Sequence, residues 1–177
     1  MARYRDGYKG GIEKYDFSLT SIFRGISLLL IPFVAYTLGL LPITFSLIYL
    51  IKFINFSTIP GIILFTILVV IEFFLFIMLE TFIPGLIIRL THLKVDEGIH
   101  DISIKNWNFY KYSLFFMLYR PSLKLIGILP LLPLRVRFLK LVGLKMGKTS
   151  VLTGSELIHD PYLVEIGEQT LIGGWSQ

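Results

Sequence analysis

Apolar residues dominate the first half of the chain in two unbroken blocks, and those blocks predict its architecture. No charged residue occurs from Gly25 to Ile51, a stretch longer than the roughly 20 residues that cross a bilayer core. It predicts a first membrane span. Pro32, Gly39 and Pro42 interrupt it, and because each proline removes a backbone donor, a kink or break is expected near Leu41 and Pro42. Asn55, Ser57 and Thr58 then form a short polar patch, and Pro60 and Gly61 open a second apolar block from Ile59 to Met78. Two spans joined by a tight turn follow, with residues 1–24 as a polar lead and 25–90 as the hairpin.

Beyond Leu90 the pattern changes. From Ile102 to Ser155 there are nine Lys or Arg and no Asp or Glu, so this stretch is a one-signed surface, and residues 91–145 read as a basic interfacial segment. The apolar run Leu125 to Leu134 is too short to span and holds Gly127, Pro130 and Pro133, which suits an interfacial or re-entrant segment. Trp107, Tyr110, Tyr112, Phe116 and Tyr119 interleave with Lys105, Lys111 and Arg120, as expected of amphipathic helices at headgroup level. Anionic membrane lipid is the partner this implies; nucleic acid fits so apolar a segment poorly.

Composition agrees with the blocks. The chain is 54% hydrophobic and 16% charged, which argues against an ordinary soluble domain. It has no cysteine, so thiol nucleophiles and cysteine-based zinc sites are excluded, and no metal ligand set is expected. The first residues show no cleavage signal after an apolar stretch, so the first block is expected to be a permanent anchor. Arg5, Lys9, Lys14 and Arg24 precede the first span, Arg89, Lys94 and Lys105 follow the second, and Lys52 alone lies between them. That asymmetry places both termini on the cytoplasmic side of a multi-pass protein in the cell membrane.

From Met146 onward a third pattern takes over. Aliphatic residues recur every six positions at Met146, Leu152 and Ile158, then, after two inserted residues, at Ile166 and Ile172. A small or polar residue follows each one: Gly147, Thr153, His159, Gly167 and Gly173. A period of six suits a triangular coil with the aliphatic position inward.

These residues, with Arg137 to Lys148, His159 to Glu168 and Ile172-Gly173-Gly174, resemble the hexapeptide-repeat acyltransferase superfamily. The similarity is to its membrane-bound branch, which includes the C-terminal domains of poly-lysine synthetase-like enzymes. A Glu97-Gly98…Ser103 element between spans and repeat adds to it. The resemblance implies a left-handed parallel β-helix. The expected fold is therefore a membrane α-helical hairpin, interfacial amphipathic helices, and over 146–177 the first coils of such a helix. At roughly one and two-thirds coils the repeat reads as truncated, and the family's usual catalytic histidine would lie on later coils.

Candidate chemistry follows from position. His159 with Asp160 is an acid/base pair within the repeat, and the bland alternative is a corner loop. His100 with Asp101 is a second pair beside the membrane, with helix capping by Asp101 or Ser103 as the alternative. Arg135, Arg137, Lys140, Lys145 and Lys148 could hold the phosphates of an acyl-coenzyme A or carrier-bound acyl donor, or simply lipid phosphates. Gly147-Lys148-Thr149 is no nucleotide loop, because Val142 stands where the first glycine is required. Glu72 falls inside the hydrocarbon, where it is either functional or hydrogen-bonded to Thr44, Ser46 or Tyr49; Glu80 is expected to reach interfacial water.

The expected function is a membrane-anchored acyltransferase, or its N-terminal part, moving an acyl or aminoacyl group to a hydroxyl or amine at the cytoplasmic face. The alternatives are a non-enzymatic membrane adaptor docking on a β-helix partner chain or a second copy of itself, and a small transport component built around Glu72.

Overall fold

The computed structural model describes residues 18–95, 98, 100–129, 131–153 and 158–173. Two long helices, α1 (Leu19–Phe53) and α2 (Ile59–Leu90), form an antiparallel hairpin. At 35 and 32 residues they extend about 52 and 48 Å, well beyond the roughly 30 Å of a hydrocarbon core. Both are long and apolar enough to cross a membrane. In the most apolar stretch of each, only 22% and 11% is buried, the reverse of a soluble core helix.

Local chemistry sets the ends. Ser18 caps α1 by accepting from the Ser21 amide, and Thr58 caps α2 by accepting from the Gly61 amide at 3.3 Å. The turn is closed by Asn55, whose side chain accepts from the Ser57 amide at 2.9 Å and whose carbonyl accepts from the Thr58 hydroxyl at 3.2 Å. Glycine is required at position 61, since a Cβ there would fall 2.0 Å from the Asn55 carbonyl oxygen. The expected break near Leu41 and Pro42 does not occur: α1 runs on through Pro32 and Pro42. Each proline costs one donor, which a helix in an apolar surround tolerates better than a frayed end.

One stripe of α1, Leu28, Pro32, Ala35, Gly39 and Ile43, is buried along the hairpin seam. Its small members let the backbones approach closely. Helix α3 (Trp107–Ile128) packs on both hairpin helices at the end away from the turn. The Ser27 and Tyr110 hydroxyls are hydrogen-bonded at 2.8 Å, and Tyr36 donates to the Leu118 carbonyl at 2.9 Å. These contacts advance together, so α3 runs parallel to α1 and antiparallel to α2. Its buried face is Tyr110, Leu114, Phe115, Leu118, Tyr119, Ser122, Leu123 and Ile126, a helical stripe. The aromatic-basic segment is therefore split between core and surface: Tyr119 is fully buried, whereas Trp107 stays 53% exposed. Arg24 fixes the start of α3 by donating to the Ile104 and Lys105 carbonyls with its guanidinium 5.3 Å from the Trp107 ring.

Beyond the end of α3 at Ile128, α4 (Leu132–Leu141) folds back along α3. Arg135 Nη2 donates to the Gly127 carbonyl at 2.7 Å, and Phe138 stacks on Tyr119 at 5.9 Å and meets Phe82 edge-on at 6.5 Å. Gly85 of α2 makes room for this, since a Cβ there would lie 2.9 Å from Leu141 Cδ2 and 3.0 Å from Phe138 Cε2.

The C-terminal region corrects the expected fold. The chain is mostly helical, and among the described residues there is no left-handed β-helix. The described residues hold four two-residue strands, β1 (Lys145–Met146), β2 (Val151–Leu152), β3 (Glu165–Ile166) and β4 (Leu171–Ile172). They make two parallel pairs, β1 with β3 and β2 with β4, in register Met146 to Ile166 and Leu152 to Ile172. The reason lies in what the aliphatic positions meet. Leu152 and Ile166 are buried in the helical core, and Met146, Ile158 and Ile172 pack against it, so helices take the face that stacked coils would otherwise need.

Gly147 tests the strand pairing. A Cβ there would sit 2.8 Å from the Gly167 carbonyl oxygen and 2.9 Å from Glu168 Cα, atoms that move only with the backbone. Gly147→Ala should therefore cost about 1–3 kcal/mol. Amide exchange should show lost protection at Gly147, which donates to Ile166 in the native chain. Unchanged protection would mean the pairs are looser than this geometry.

Candidate functional site

Three places gather the chemistry. The first is an open groove of about 320 Å³ between α4 and β2, lined by Leu132, Pro133, Val136, Arg137, Lys140 and Leu152, with Ser150 and Val151 at its edge. Periodicity builds it: Pro133, Val136, Arg137 and Lys140 share one face of α4, while Phe138 and Leu139 turn to the core. Arg137 and Lys140 are exposed at the rim. The other three expected phosphate ligands do not join them. Arg135 is turned to Gly127, and Lys145 pairs with Glu165 at 3.3 Å in solvent, where such a pair contributes little. Lys148 donates its amide to Glu168.

The second place is the loop holding His159 and Asp160, which docks on α3. Tyr119 donates to the Ile158 carbonyl at 2.5 Å, and Tyr162, just past the loop, meets Phe115 edge-on at 5.1 Å. His159 is exposed and Asp160 half-buried. Asp160 lies within electrostatic reach of three phenols, Tyr112, Tyr119 and Tyr162. Burial pushes the Tyr162 hydroxyl up to about 12, with the Asp160 charge adding to it, and the same two causes raise Tyr112 and Tyr119. These phenols stay protonated and can serve as donors. Tyr112 and Tyr162 were not legible as site residues, because the loop meets α3 only through the tertiary fold.

His100 is half-buried and accepts from the Asn108 side-chain amide at 3.3 Å, while Asp101 is exposed. Neither Asp101 nor Ser103 caps α3; Asn106 does, accepting from the Asn108 amide at 2.9 Å. Glu97 and Ile99 of the Glu97…Ser103 element lie outside the described residues, as do residues 1–17, 154–157 and 174–177.

The third place is the hairpin seam. Ser46 donates to Glu72 Oε1, one of the contacts expected for that carboxyl. Glu80 does not reach interfacial water: it is 3% exposed, wedged where Gly39 lacks a side chain, and Ser122 donates to its backbone carbonyl at 3.2 Å. Glu72 Oε2 and Glu80 Oε1 are buried without a hydrogen-bond partner. Helix α3 covers Glu80, which sequence spacing along α2 alone could not reveal.

No protein-family profile, curated protein or solved structure matches the chain.

Beside the groove, Glu168 clasps the corner between β1 and β2. Its carboxylate accepts the Thr149 hydroxyl at 2.6 Å and the Thr149 and Lys148 amides at 3.1 Å each. Those hydrogen bonds hold its carboxyl below the ordinary value, with the Lys140 charge a smaller contribution. A lowered pKa means the clasp is intact above the ordinary carboxylate range and lost only as pH falls through the lowered value. Exchange protection of the Lys148 and Thr149 amides should therefore persist below about pH 4, the usual carboxylate midpoint, and then fall. In Glu168→Gln that acid step should vanish.

Proposed function

We propose that the chain is a membrane-anchored acyltransferase component working at the cytoplasmic face. The observation that carries this reading is the groove, apolar along Leu132, Pro133, Val136 and Leu152 and cationic at Arg137 and Lys140. That combination suits a donor with an acyl chain at one end and phosphate at the other. The exposed His159 is the acid/base group of the reading, and its neighbour in sequence, Asp160, lies within electrostatic reach of the protonated Tyr112 and Tyr162. In the reaction, an acceptor hydroxyl or amine gives its proton to His159 and attacks the donor carbonyl. The acyl–donor bond breaks, and the proton passes to the leaving group.

In this reading both spans cross the membrane, the Asn55–Thr58 turn is outside, and α3, α4 and the strand pairs sit inside, consistent with the lone Lys52 near the turn. A second reading, a non-enzymatic adaptor, is favoured by Leu171, which is 73% exposed on a strand paired on one side only among the described residues. A β-helix partner or a second copy could add to that edge.

Two measurements test the proposal. The chain has no cysteine, so single cysteines at Ser57 and Leu163 can be labelled in intact cells; Ser57→Cys should react from outside and Leu163→Cys only after permeabilisation. Reaction of Leu163→Cys from outside would reverse the orientation. Acyl transfer by the full chain in lipid nanodiscs should fall about 10²–10⁴-fold in His159→Ala with folding intact. Equal transfer by His159→Ala would remove that residue from the reaction, and no transfer by the native chain with any donor would leave the adaptor reading in its place.

A further inference from the structure

We propose that the α4 groove takes its donor sideways from the inner leaflet, as an anionic acyl phospholipid and not as a soluble nucleotide thioester. This rests on reading the groove as the donor site. Three observations point to it.

The first is depth. With the Asn55–Thr58 turn at the outer surface, about 20 residues of α2 cross the core, which brings its inner boundary near Met78. Gly85 then lies about 10 Å further, at headgroup level. Phe138 packs against Gly85, so Arg137 and Lys140 share that level, whereas Leu132 sits about 9 Å back toward the hydrocarbon. Leu131 and Leu132 remain 45% and 39% exposed there. The groove thus runs from the edge of the hydrocarbon to phosphate depth, with apolar residues at the first and cations at the second.

Size is the second observation. About 320 Å³ accommodates a glycerophosphate and the upper part of one acyl chain, with the remaining hydrocarbon left in the bilayer. The third is the lining, which has no aromatic ring to stack a nucleobase and only two cations. A nucleotide thioester would leave its base and several phosphates unserved. An ester donor also balances without a further reactant: the acceptor acquires the acyl group, the ester C–O bond breaks, and the acceptor's proton ends on the glycerol oxygen of a lysophospholipid.

The test uses the full chain in nanodiscs holding phosphatidylglycerol with a diazirine in the acyl chain close to the ester, and maps crosslinks by mass spectrometry. Labels are expected on residues 132–140 and 150–152, and excess soluble acyl-coenzyme A should not displace them. Arg137→Glu with Lys140→Glu should cut labelling about tenfold or more. Arg137→Gln with Lys140→Gln, milder at these exposed positions, should give a smaller cut in the same direction. Equal labelling by a phosphatidylcholine probe would overturn the proposal, because charge would then not be recognised. Labelling by an acyl-coenzyme A probe in place of the lipid would also overturn it while leaving the donor-site reading intact. Lipid labelling without any lysophospholipid release would keep the lipid site and remove the donor role.

Discussion

Tyr119 is the contact on which the rest of the molecule depends. It sits in the middle of α3, fully buried, with its ring stacked on Phe115 of its own helix and on Phe138 of α4. Its hydroxyl donates to Ile158 at the foot of the loop that holds His159. One side chain thereby joins the hairpin's covering helix, the return helix and the C-terminal loop. A phenol suits this position because it combines a large apolar surface with a single polar tip that must find a partner when buried. Phenylalanine would keep the stacking and leave the Ile158 carbonyl without that donor.

The same logic governs the apolar hairpin. Apolar surroundings give no hydrogen-bond partners, so polar groups in α1 and α2 turn to backbone or to other side chains, Glu72 Oε2 and Glu80 Oε1 excepted. Thr37, Thr44 and Thr66 each donate to the carbonyl one turn back. Ser46 meets Glu72, and Tyr36 donates to the Leu118 carbonyl in the middle of α3. These contacts lie along the seam, against α3 or within one helix, which leaves Leu, Ile and Phe to face outward.

The two long apolar helices were legible because twenty or more apolar residues in a row have few other fates. The path of α3 was not, since its buried stripe is spread among lysines and tyrosines whose average is only weakly apolar. The period of six correctly grouped Met146, Leu152, Ile158, Ile166 and Ile172 on an inward face. What it could not say is what fills the inside, and helices α3 and α4 do so where stacked coils were expected. Of the site, Arg137 and Lys140 converge on one groove because they share a helix face. His100 and His159 were paired with their sequence neighbours; the fold adds partners that spacing could not show, Asn108 beside His100 and phenols of α3 within reach of Asp160.

The overhang of the hairpin has a further effect. Helices α1 and α2 are some 20 Å longer than a hydrocarbon core is thick, and the excess forms a rigid pedestal to which α3 and α4 are bolted. A bilayer that thickens or thins changes the tilt of such a pedestal, because tilting is how a long apolar rod relieves mismatch. Every degree of tilt raises or lowers the basic rim relative to the lipid phosphates. In the membrane-anchored reading, the height of the basic rim is thereby tied to the tilt of the hairpin.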